Sequence, residues 1–203
     1  MHFDRDDIQA VETLARNTIA RGPFDADTKS QISIGKNTIG VSYRRAPNVP
    51  IGGDLGVSEL RGDFDFLGSQ EILIRSHGAR LPENDASFEH CVGVIAHEVV
   101  HSLQVGLLSD QQLHIAIEAN KYVKLNPNCP DCYASYIGCC VELPAHAAMI
   151  AFSLRDSSSN GFDVSAQKSE FYQYFEAKLK ASKTGHETLE HILERARCIH
   201  ANF

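Results

Sequence analysis

The chain has little that would mark it for a membrane, for nucleic acid or for a disulfide scaffold. No apolar run in its 203 residues approaches the ~20 residues that a bilayer-spanning helix needs. The N-terminus, Met1-His2-Phe3-Asp4-Arg5-Asp6-Asp7, is acidic and polar. No basic stretch leads there into an apolar one, so no secretory signal is expected. A formal charge of −7 argues against a surface built to neutralise phosphates. Six cysteines (91, 129, 132, 139, 140 and 198) are too few to staple a chain of this length, and without a secretory signal they are expected to stay reduced. There is no internal repeat and no low-complexity tract. A soluble, cytoplasmic protein that binds neither nucleic acid nor membrane is the expectation, with signal-less export also compatible.

What is present is ordinary globular material, 43% hydrophobic and 22% charged, enough for one substantial core. A single domain over 1–203 is expected, its core at about 30–156 and a helical appendage at 157–203. Ile8, Val11, Leu14, Ala15 and Ile19 recur at helical spacing over about 4–20, stopped by Gly22-Pro23. Residues 31–34 and 38–43 alternate polar with apolar around Gly35-Lys36-Asn37, which predicts a hairpin. Residues 46–70, rich in proline, glycine and aspartate, read as a long irregular connection. Glu71-Ile72-Leu73-Ile74-Arg75 reads as another strand.

After this the pattern turns helical. Asn84 or Asp85 can cap a helix running to about Val105, with Gly106 as its stop. Ser109-Asp110-Gln111-Gln112 has capping-box spacing and opens a helix to about Val123. Residues 126–131 read as a loop. A helix containing Glu142 is expected to reach about Leu154, and two further helices follow the polar break at 157–161, at about 165–181 and 185–199. Sheet first and helices after gives an α+β fold.

The chemistry gathers in His97-Glu98-Val99-Val100-His101. Two residues four apart on a helix lie ~40° apart around its axis and one turn apart along it, so both imidazoles can reach one ion. Glu98 borders that face and can act on a water without ligating the metal. Two nitrogen ligands, an open position and a neighbouring base are what a zinc hydrolase requires. A third protein ligand must come from elsewhere. The pattern that adds a glycine and a histidine three and six positions beyond the second histidine fails here, because those positions hold Gln104 and Leu107. Glu142 is the better candidate, with His146, Asp131 and His114 as alternatives. Glu142 and His146 stand at i, i+4 among small residues that allow a neighbouring helix to approach closely, and Pro144 confines Glu142 to the start of its helix.

HEVVH followed by a second helix with Glu-x-x-Ala-His resembles the gluzincin branch of the zincin metallopeptidases, and the small intracellular ImmA/IrrE-like group is the nearest likeness. The resemblance covers about residues 70–155. It implies a zincin-like fold, with a small N-terminal sheet, an active-site helix and a mostly helical C-terminal half. It implies Glu142 as the third zinc ligand and His146 as a residue beyond the ligand shell that hydrogen-bonds a ligand histidine. In this chain His146 stands where Asp or Asn is more usual, and forty-one positions separate His101 from Glu142, more than in the shortest members.

Other candidates carry less. Cys129-x-x-Cys132 with Cys139-Cys140 is compatible with a structural zinc site, but the spacing is not that of two knuckles, and idle thiols are the simpler reading. The CxxC has no strand before it of the kind a redox motif usually follows. His186 and His191 are five apart, on different helix faces, and His90 stands ~10 Å along the axis from His97, where it can line the cleft without ligating the same ion. Tyr133 and Tyr136 precede Glu142 closely enough to stabilise an oxyanion, or simply to pack. The expected activity is hydrolysis of peptide bonds around one catalytic Zn2+ held by His97, His101 and Glu142, with Glu98 as general base. A substrate strand is expected to pair beside residues 71–75. A zinc-binding domain without turnover and a hydrolase of a non-peptide amide are the rival readings.

Overall fold

The alternating apolar residues of the N-terminal third fold as a sheet whose inner face is aliphatic. Thr28–Ile34 (β1) and Asn37–Arg45 (β2) form the expected hairpin, with Ile34 opposite Asn37 across the turn Gly35-Lys36. Gly35 has φ +54°, a region that glycine enters without steric cost, and its N–H donates to Asp7 Oδ1 at 2.8 Å. In the computed structural model, residues 3–20, 28–45, 60–64, 70–76, 83–158 and 161–203 are described. The Gly22-Pro23 stop and most of the 46–70 connection lie outside those residues.

Within that connection Leu60–Phe64 is a strand (β3), paired antiparallel to Ile72–Ser76 (β4). Its sequence, Leu-Arg-Gly-Asp-Phe, has a glycine and two charges in five residues, so the pairing partner rather than local propensity makes it a strand. The order is β1-β2-β4-β3, with β2 and β4 parallel. The expected docking of a substrate strand beside 71–75 is therefore overturned, because β4 has both edges occupied. The terminal strand on that side is β3. Ile32, Ile34, Ile39, Val41, Tyr43, Ile72 and Ile74 are all buried.

Helix α1 (Arg5–Ala20) buries Val11, Leu14, Ala15 and Ile19. Helix α2 (Asp85–Gln104) begins at Asn84, whose Oδ1 accepts the Ser87 N–H at 2.8 Å, and is followed by Gly106 at φ +79°. Cys91, Val92, Ile95, Ala96, Val99 and Val100 are wholly buried, so α2 is an internal helix rather than a surface one. It packs on α1 and β3 and on α5 (Glu142–Ser153), which in turn packs on α8 (Gly185–His200). Ala145, Ala147, Ala148 and Ala151 are fully buried on α5, and their small size lets the helices come close.

Helix α3 (Asp110–Leu125) opens with the expected capping box at Ser109 and Gln112. Two boundaries differ from expectation. The loop read over 126–131 ends in a helix, α4 (Pro130–Ile137), because Pro130 takes the first helical position, where the missing N–H is not needed. The 165–181 segment is two helices, α6 (Phe162–Lys168) and α7 (Glu170–Leu179), broken at Ser169, whose hydroxyl accepts the Tyr172 N–H. The C-terminal helices do not stand apart as an appendage. Phe162, Phe171, Phe175, Leu179, Leu189, Ile192 and Ile199 join the same buried cluster as the sheet and α2, since amphipathic helices without another partner must cover this core. Among the described residues, eight helices before, after and around a four-stranded sheet make an α+β fold. No single helix among the described residues is long and apolar enough to cross a membrane.

Candidate metal centre

The two central helices each deliver part of one cluster. One turn of α2 projects His97, Glu98 and His101, and the first turn of α5 projects Glu142, with His146 one turn further along. All five are buried, none more than 9% exposed. His97 Nε2 and His101 Nε2 lie 3.0 Å apart, and each is 3.6 Å from Glu142 Oε2. A tetrahedral ion bound at ~2.0–2.1 Å by each donor asks for donor separations of roughly 3.4 Å, which these distances bracket. Glu142 Oε2 has no hydrogen-bond partner of its own, although it is buried. Two imidazoles and an orphaned carboxylate oxygen converging in this way form a group able to hold a metal ion, and the donors suit a divalent cation.

The electrostatics of the cluster point the same way. Burial, and then the neighbouring His101 and His146, hold His97 well below the usual histidine range. His101 moves oppositely: burial works against its charge, but contact with Glu142 and the charges of Glu142 and Glu98 raise it from 6.5 to about 9. Burial also opposes a charged Glu142, and His101 and then His97 outweigh it, so the carboxylate is held below its ordinary value. A positive charge is thus drawn to the space between His101 and Glu142, where a cation would sit. Glu98 is pushed up to about 7, by burial first, with Glu142 adding to the rise and His101 and Arg75 opposing it. Its Oε2 is buried without a hydrogen-bond partner.

The sequence expectations fare unevenly. His97, Glu98, His101 and Glu142 come together. Asp131 and His114, the alternative third ligands, lie elsewhere: both are exposed, and Asp131 Oδ1 accepts from Ser182 Oγ and the Lys183 N–H. His146 is at the cluster, but makes no hydrogen bond to a ligand histidine. Its Nε2 lies 3.6 Å from the same Glu142 Oε2, and its ring sits between His97 and Phe175, with centroid distances of 4.6 and 4.7 Å. Burial, and then His101, lower its pKa to about 3, so it is neutral. Tyr133 and Tyr136 both lie on α4, half-buried; the Tyr133 ring stands edge-on to Tyr174, with centroids 6.4 Å apart, and neither phenol makes a hydrogen bond to the cluster. Burial raises both phenols, keeping them protonated. His90 is buried away from the cluster, stacked on Phe171 with Glu170 3.7 Å from its Nδ1. His186 and His191 are exposed on α8. Cys129 and Cys132 form a disulfide rather than the expected free thiols, because α4 begins between them and brings the two sulfurs together.

One residue at the site escaped the sequence reading. Gln104 Oε1 lies 3.0 Å from His101 Nδ1, and its Nε2 donates to the Val141 carbonyl at 2.9 Å. With Nδ1–H given to Gln104, His101 keeps Nε2 as the nitrogen that faces Glu142 and that can bind an ion once it gives up its proton. The available signal was its position, three residues past His101 on the same helix face. No known protein family, curated protein or solved structure matches this chain.

Proposed function

We propose that the chain is a zinc-dependent metallopeptidase of the gluzincin type, with a zincin-like arrangement of its two central helices. The observation that carries the reading is the convergence of His97, His101 and Glu142 on one point, with a carboxylate raised to about 7 beside them. A closed structural site has no use for such a base. Zinc suits two imidazoles and one carboxylate, and when bound there it supplies Lewis acidity and lowers the pKa of a coordinated water toward ~7.

The chain's own residues do the rest. His97 and His101 present Nε2 to the ion, and Gln104 holds the His101 ring. Glu98 accepts a proton at its unpartnered Oε2 and returns it to the departing amine, a task for which a pKa near neutrality is suited. Metal analysis of the purified chain, together with a peptide-library cleavage assay, tests the reading. The expected result is about one zinc per chain and cleavage that a chelator abolishes. Zinc without cleavage of any peptide would overturn it.

One observation favours a second reading, a zinc-binding domain without turnover. His146 Nε2 is as close to Glu142 Oε2 as the two ligand histidines are. A small rotation that brought it onto the ion would fill the position a reacting water needs.

A further inference from the structure

Cys129 and Cys132 carry chemistry that the metal reading does not use. Cys129 is the N-cap of α4, and its sulfur, bonded to that of Cys132, also accepts the Cys132 N–H at 3.2 Å. Both residues are partly exposed, so a reagent in solution can reach the bond. Between them, Asp131 is fastened to the turn before α8 by two bonds of 2.8 Å, from Ser182 Oγ and the Lys183 N–H. Helix α4 has only eight residues, too few to persist without tertiary support, and it runs through one turn directly into Glu142, the Leu143 N–H donating to the Cys139 carbonyl at 3.0 Å across that turn. The first turn of the helix that leads into Glu142 is thus closed by one S–S bond and one carboxylate.

We propose that Cys129–Cys132 is a reversible disulfide, reduced by a protein or small-molecule dithiol, and that its state sets how firmly Glu142 is held for a metal ion. The second half rests on the metal reading above. In the exchange, a thiolate of the dithiol attacks Cys132 Sγ, forming a mixed disulfide as the Cys129–Cys132 bond breaks. Cys129 leaves as a thiolate, at a helix N-terminus and with the Cys132 N–H already directed at its sulfur, a setting that favours the charged leaving group. The second thiolate of the reductant then attacks its own sulfur in the mixed disulfide and releases Cys132. Two electrons pass to the protein, the reductant departs as its disulfide, and the two protons of the dithiol are left to the cysteines or to solvent. Without the cross-link the first turn of α4 frays, and the turn that leads from α4 into Glu142 is held less firmly.

The test uses the full chain under native conditions. It is equilibrated in mixtures of reduced and oxidised dithiothreitol, and thiols are counted by alkylation and peptide mass spectrometry. Zinc affinity is measured by chelator competition on three samples: the oxidised chain, the C129S/C132S variant, and the wild-type chain reduced and capped with iodoacetamide at these two thiols. Capping and serine both keep thiolates from binding zinc themselves. Reversible labelling at 129 and 132 is expected, with zinc affinity about tenfold lower in both cross-link-free samples, the low end of losses seen when a ligand's supporting partner is removed. A disulfide that resists native reduction, or equal affinities in all three samples, overturns the proposal. A chain that binds zinc in no state removes the metal reading along with the coupling, whereas equal affinities remove the coupling alone.

Discussion

The side chain of Gln104 joins His101 to the backbone just before Glu142: Oε1 meets His101 Nδ1 at 3.0 Å, and Nε2 donates to Val141 O at 2.9 Å. One amide therefore fixes the imidazole on α2 and the N-terminal entry of α5, which has no side-chain cap. Gln104→Leu keeps much of the volume and removes both bonds. It removes the donor to the buried Val141 carbonyl, and an orphaned group of that kind costs about 1–3 kcal/mol. Zinc affinity, measured by chelator competition, is expected to fall ~10–100-fold, as it does when other ligand-orienting partners are removed. Unchanged affinity would show that the His101 ring needs no such support.

Glu142 and His146 present the same α5 face to the cluster, and their substitutions separate the two roles. Glu142→Ala removes a donor and is expected to abolish tight zinc binding. His146→Ala is expected to leave the ion bound, with at most a ~10–100-fold effect on affinity or activity. The reverse ranking would make His146 the ligand and remove the gluzincin assignment.

How much of this could be read beforehand depended on how local the signal was. The His97–His101 spacing, the Asn84 and Ser109 caps, the Gly35 turn and the stop at Gly106 are set by neighbours in sequence, and each was legible. Strand β3 was not, because its ladder with β4 supplies what Leu60-Arg61-Gly62-Asp63-Phe64 lacks in propensity. Helix α4 was hidden by Pro130, which reads as a breaker unless it falls at the first helical position. That misreading also hid the disulfide, since two cysteines three apart meet most readily across a helix start. The role of Gln104 depends on how the start of α5 lies against α2, and no spacing within one segment encodes that.

Close packing against α2 makes a further substitution informative. A Cβ on Gly93 would stand 2.4 Å from a ring carbon of the buried Phe171 and 3.1 Å from the Met149 carbonyl. Gly93→Ala must therefore push α7 away from α2, at a cost of about 1–3 kcal/mol for overpacking, despite alanine's better helix propensity. Chemical denaturation is expected to show that loss. A variant as stable as the wild type would mean that Phe171 moves aside freely.

The pH dependence of zinc stabilisation has a definite sign. Without metal, His101 is raised from 6.5 to about 9, through its contact with Glu142 and against the effect of burial. Its pairing therefore contributes stability that is fully present below about 6.5 and is lost as pH rises through about 9. A zinc ion needs the same nitrogen unprotonated, so below about 9 binding displaces a proton and is weakened by it. The rise in Tm produced by a fixed excess of zinc is expected to grow from pH 6 to pH 9. A shift independent of pH would mean that His101 is not a ligand.

Glu98 decides between an enzyme and a metal-binding domain. It follows His97 directly, it is buried, and its Oε2 has no hydrogen-bond partner. It is not one of the three converging donors, so the ion can be held without it. Burial, with Glu142 adding to it, raises the carboxyl to about 7, so that near neutrality it can both take up and give back a proton. Glu98→Gln keeps the size and much of the hydrogen-bonding capacity but cannot act as a base. Zinc content and thermal stability are expected to stay close to those of the wild type, while peptide hydrolysis falls by the ~10²–10⁴-fold that general acid–base catalysis contributes. Peptide binding by the variant, followed by fluorescence anisotropy, is expected to persist, because the three converging donors are unchanged. Cleavage at the wild-type rate by this variant would remove Glu98 from the mechanism and leave the metal site without the base that the peptidase reading requires.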